Sequence, residues 1–110
     1  MKVEHKGHTT IVKDTIGNTE DFLKKFEHEY GSFKNSNLII DLSHDKEITL
    51  AKVKLFSELS KKHRKQKKSF VLVADNIDFN SVPSKMTLVP TVLEAHDIIE
   101  MEEIERDLGF

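Results

Sequence analysis

Apolar residues along the chain fall into clusters of two kinds. Some are continuous: Leu38-Ile39-Ile40, and Phe70-Val71-Leu72-Val73-Ala74 after Ser69. A run without alternation fits a strand covered on both faces, and β-branched content favours strand over helix. Other clusters recur at helical spacing. Phe22, Leu23, Phe26 and Tyr30 share one face of a helix that Asn18 can cap, with Glu20 and Asp21 in its first turn and Gly31 at its stop. Val53, Leu55, Phe56 and Leu59 predict a second helix opened by Thr49. Ala95, Ile98, Ile99, Met101, Ile104 and Leu108 predict a last helix. The capping box Thr91-Val92-Leu93-Glu94 opens it and Gly109 ends it.

Weaker patterns fill the gaps. Val3 and His5, then Thr9, Ile11 and Lys13, alternate around Lys6-Gly7 and predict a hairpin with a glycine in its turn. Asp75 to Lys85 is polar and contains Pro83, which predicts a loop with a single helical turn; Thr87-Leu88-Val89 then makes a short strand before Pro90. The predicted order is β-β-α-β-α-β-(loop)-β-α. Strands alternating with helices imply an α/β domain spanning residues 1–110, with a central mixed sheet of about five strands and helices packed on it.

Composition narrows the chemistry. The 110 residues suit one domain, and the absence of cysteine excludes a disulfide scaffold, thiolate zinc, an iron–sulfur cluster and a cysteine nucleophile. No apolar run approaches the ~18–20 residues of a membrane span. Met1-Lys2-Val3-Glu4-His5 carries no apolar signal core, so a cytoplasmic protein is expected. The net charge of −2 hides two blocks. Residues 61–68 hold Lys61, Lys62, Arg64, Lys65, Lys67 and Lys68 without an acid. Residues 94–107 hold Glu94, Asp97, Glu100, Glu102, Glu103, Glu105 and Asp107 against Arg106 alone. Such segregation steers a partner's approach, or simply solvates helix faces and ends.

From residue 37 onward the pattern resembles the STAS domain, the fold of anti-sigma-factor antagonists. The residues that carry the likeness are Leu38-Ile39-Ile40-Asp41-Leu42-Ser43, Phe70-Val71-Leu72-Val73, and the closing Val89-Pro90-Thr91 with Glu94-Ala95. The resemblance implies a regulatory, non-enzymatic protein-interaction module whose partner is a kinase-like or anti-sigma-like protein. It implies a docking surface at the start of the second helix, on His44, Asp45, Lys46, Glu47, Thr49 and Lys52. In the phosphorylatable members a serine opens that helix; ungapped alignment puts Ala51 there, which cannot accept phosphate, and Lys52 in place of a glycine. Thr49 is the nearest hydroxyl and suits an N-cap. The chain is also similar to short bacterial STAS-like proteins, some of which carry the name ribonuclease Z. That activity requires a metallo-β-lactamase scaffold and a His-x-His-x-Asp-His motif, which this sequence lacks, so the name reads as a carry-over.

Other chemistry has thin support. His5 with His8, His44 with Asp45, and His96 with Glu100 are pairs, whereas a structural metal site takes four ligands, so no metal is expected. Ser43 lacks a Gly-x-Ser-x-Gly elbow, and Gly7, Gly17, Gly31 and Gly109 form no phosphate-binding run, so no cofactor is expected. The basic block has no interleaved aromatic residue to stack on bases, which argues against nucleic acid. A small-ligand, nucleotide or RNA-associated domain is the alternative reading. Apolar residues drifting around the last helix would allow a homodimer, and a wide core contact explains them equally well.

Overall fold

The computed structural model describes residues 1–109 and contains one five-stranded sheet in the order β1-β2-β3-β4-β5. The strands are β1 (Lys2–Lys6), β2 (Thr9–Lys13), β3 (Asn37–Asp41), β4 (Phe70–Val73) and β5 (Thr87–Val89). β1 runs antiparallel to β2 through the predicted hairpin, where Gly7 takes a φ of 59°. β2, β3, β4 and β5 pair in parallel. The mixed α/β sheet expected from the sequence is therefore present. β3 and β4 are buried throughout, as their unbroken apolar runs require.

The pleat sends alternate side chains to two unequal cores. On one face Val12, Leu38, Ile40, Phe70 and Leu72 meet α1 (Thr19–Glu29), α2 (Leu50–Lys54) and α3 (Ser57–Lys65). Phe26 is fully buried at the centre of this layer and packs on Phe22, Tyr30, Phe33 and Phe70, with ring centroids 5.7–6.4 Å apart. Burying a ring of this size contributes about 2–3 kcal/mol. On the other face Ile11, Ile39, Val71 and Val73 meet α4 (Val92–Asp107) through Ala95 and Ile99, with Val92, Ile98 and Val89 packed against them.

Two local expectations change. The second helix is two: α2 tightens after Val53, with Leu55 and Phe56 donating to carbonyls three residues back, and α3 begins at Ser57. Gly31 does not stop α1 in a left-handed cap; the chain passes into a single 3-10 turn, Tyr30–Ser32. On α4 the drift of apolar residues has the expected result: Ala95 and Ile99 are buried, and Met101, Ile104 and Leu108 are exposed. The predicted caps are present: Asn18, Thr49 and Thr91 accept from the backbone N–H of Asp21, Lys52 and Glu94. The 75–85 loop holds one helical turn, Phe79–Ser81. Among the described residues no helix is long and apolar enough to cross a membrane.

Candidate functional site

The loop from β3 to α2 lies at the carboxyl end of the parallel strands, where open α/β sheets commonly present ligand-binding groups. Its organiser is Asp45, a buried carboxylate at 4% exposure. Oδ2 accepts from the Thr19 hydroxyl at 2.7 Å, and the Lys52 ammonium sits 3.0 Å from the same oxygen. Oδ1 accepts from the Glu47 backbone N–H at 2.9 Å. Burial alone would raise this carboxyl's pKa. The hydrogen bonds from Thr19, Lys52 and the Glu47 amide, with the charge of Lys52, outweigh it and hold Asp45 below its ordinary value. Lys52 also donates to the Glu47 carbonyl at 3.2 Å, closing the loop onto the first turn of α2.

A second loop braces the first. Asp14, at the end of β2, donates its N–H to the Asp41 carbonyl and accepts from the N–H groups of Ile16 and Gly17. This turn brings Gly17 so close that an added Cβ would lie 2.8 Å from the His44 carbonyl oxygen. On the other side, Asp41 accepts from the Ser43 N–H at 3.0 Å.

The residues predicted for docking thus divide. His44, Lys46, Glu47 and Thr49 are exposed, and so is Ala51 in the first turn of α2. Asp45 is not a surface group, and Lys52 is turned towards it with its side chain 23% exposed. Those two fix the shape that the others present. Of the candidate metal pairs, the first is engaged elsewhere: His5 hydrogen-bonds the Thr10 hydroxyl at 3.0 Å, and His8 stands 3.7 Å from Glu103. Among the described residues no three His, Asp or Glu side chains gather as metal ligands.

The basic block is not one solvated face. His63 is fully buried and ties α3 to the segment that follows α1. The Ser36 carbonyl, 2.7 Å from Nε2, only accepts, so the ring donates there and Nδ1 accepts from the Tyr30 hydroxyl at 2.7 Å. Burial pushes the His63 pKa below its ordinary value, and the charges of Arg64 and Lys68 act in the same direction against the hydrogen bond to Ser36. Arg64 also turns inward, donating to the Phe70 carbonyl, the Thr87 hydroxyl and Glu102. Sequence reasoning missed both residues, although Val53, Phe56, Ser60 and His63 keep helical spacing on the buried face.

Beside this block lies a groove of about 790 Å³. Ser57, Lys61, Arg64 and Lys65 form one wall, and Pro83, Ser84, Lys85 and Met86 the other. Lys61, Lys65 and Lys85 are exposed and form no ion pair among the described residues. The groove is cationic at its rim, with the buried side chain of Met86 contributing to its floor. No protein-family model matches the chain, and no curated protein matches it.

Proposed function

We propose that this chain is a non-enzymatic, STAS-like regulatory module that docks a protein partner through the β3–α2 loop and the start of α2, without a phosphoacceptor serine. One observation carries the reading. The Asp45 hub holds His44, Lys46, Glu47, Thr49 and Ala51 outward on a braced loop, so the surface is formed before a partner arrives. Preorganisation of this kind lowers the ordering cost of association. The βαβ order and the mixed sheet agree with a STAS-like fold. Ala51 stands exposed where the resemblance puts the acceptor, so its methyl group offers a contact but no switch.

The test is capture of partners from native lysate by the wild-type chain and by a Lys46→Glu, Glu47→Lys double variant. Both side chains lie outside the hub, so thermal stability should hold while the specific partner is lost. Retention of every captured protein by the double variant would remove this surface from consideration.

The groove between α3 and residues 83–86 favours a second reading, a small-ligand domain. Its lysines, without an ion pair among the described residues, suit an anionic molecule, and the absence of an aromatic side chain from its walls argues against base stacking. Calorimetric titration with nucleotides and short RNA at two salt concentrations checks it. Saturable binding that Lys61→Glu and Lys85→Glu abolish supports a ligand site, and no saturable binding ends this reading.

A further inference from the structure

The solvent side of α4 carries an apolar stripe with no partner among the described residues. Leu93, Met101, Ile104 and Leu108 are 72%, 57%, 54% and 65% exposed. At roughly 100° per residue the four fall within an arc of about 80°, on the side of the helix away from the core residues Ala95 and Ile99. A surface helix usually gives this side to polar residues, so the stripe is a departure from ordinary amphipathic design. It continues into a shallow groove of about 280 Å³, where Ile98 and Met101 meet Val89 on the edge strand β5 beside Glu94 and Asp97.

The exposed charges of α4 itself around the stripe are of one sign. Glu94, Asp97, Glu100, Glu105 and Asp107 are all exposed and flank or interrupt it. The single base of the helix, Arg106, is turned inward and donates to Ser69 and Asn37. A second copy laid on this face would bring two sets of five carboxylates together around a modest apolar contact, an arrangement that like-charge repulsion opposes. A helix with an apolar seam and lysine or arginine beside it meets both features, the leucines and isoleucine through its seam and the carboxylates through its flanks.

We infer that the outer face of α4 is a docking site for a basic amphipathic helix of another protein. The site is separate from the β3–α2 surface proposed above, and neither depends on the other. Basic flanks steer the approaching helix and the apolar seam holds it.

The test uses the full chain and a three-heptad synthetic peptide with Leu at a and d and Lys at e and g, compared with the same peptide carrying Glu at e and g. The Lys peptide should bind saturably, with chemical-shift changes concentrated at residues 93–108. Met101→Ser combined with Ile104→Ser should raise its Kd at least tenfold, and these exposed positions leave the core untouched. Lys46→Glu with Glu47→Lys should leave this Kd unchanged, which separates the two surfaces. Absence of saturable binding, equal binding of the Glu peptide, or a Kd indifferent to the double serine variant overturns the inference. So does a wild-type dimer in sedimentation that the serine variant converts to monomer, because a second copy would then be the occupant.

Discussion

Two buried polar residues decide how the interior responds to change. His63 is held neutral between Tyr30 and the Ser36 carbonyl, and its folded pKa lies below the unfolded value near 6.5. Below that pH the unfolded chain binds more protons at this position than the folded one. Stability from His63 is therefore complete above about 6.5 and is lost as pH falls through the lower folded value. The urea midpoint should drop between pH 7.5 and pH 5.0, and His63→Gln should flatten that slope. An equal slope in both proteins would show that another group sets the acid response. Tyr30→Phe leaves His63 Nδ1 without its donor and should cost about 1–2 kcal/mol at pH 7.5. Asp45 is the counterpart at the other end of the sheet. Asp45→Ala strands the Thr19 hydroxyl, the Glu47 amide and Lys52, and should cost about 2–4 kcal/mol in urea unfolding. Asp45→Asn keeps a carbonyl for some of these donors and should cost less. If the two variants were equally unstable, the carboxylate's charge and not its geometry would organise the loop.

Elements differ in how plainly the sequence announces them, and the loops that join them show why. Gly17 has a φ of 91° and lies against the His44 backbone, so Gly17→Ala adds a Cβ with no room and an unfavourable backbone. It should cost about 1–3 kcal/mol. Gly31→Ala, with an ordinary φ and open space around it, should be neutral or slightly stabilising by less than about 1 kcal/mol. Paired urea midpoints check both, and a Gly17→Ala protein as stable as wild type would mean that the two loops are not braced. Nothing in the sequence around Gly17 pointed to His44, because the contact joins segments that only the folded sheet brings together. β3 and β4, by contrast, were legible because burial on both faces demands apolar residues at every position. Caps at Asn18, Thr49 and Thr91 were legible because the side chain satisfies a backbone group three residues on. The break between α2 and α3 was not: Val53, Phe56, Ser60 and His63 keep their helical spacing across it, and the change is one of winding, unmarked by glycine or proline. The candidate site was half legible. Exposed loop residues followed from the strand's end, whereas the burial of Asp45 depends on Thr19, distant in sequence.

At the scale of the molecule, two opposed charge regions, 61–68 and 94–107, cancel one another and touch at Arg64 and Glu102, 3.3 Å apart. The basic region ends in a groove and the acidic one in an apolar stripe, so the two faces of the sheet offer different chemistry to the surroundings. The sheet itself is graded along a different direction, across its strands. β3 and β4 lie between helices on both sides and are buried along their length, whereas every residue of β1 is exposed and β1 pairs only with β2. Opening β1 exposes little apolar surface, but opening β3 or β4 exposes both cores at once. Local opening free energies should follow that difference, since the least buried elements open without global unfolding. Hydrogen–deuterium exchange should therefore find amides 37–41 and 70–73 exchanging last, at a rate set by global stability. Strand amides of β1 should exchange orders of magnitude sooner. Equal protection of β1 and β3 would contradict this grading and make the hairpin part of one cooperative unit, tied down by contacts stronger than its exposure implies.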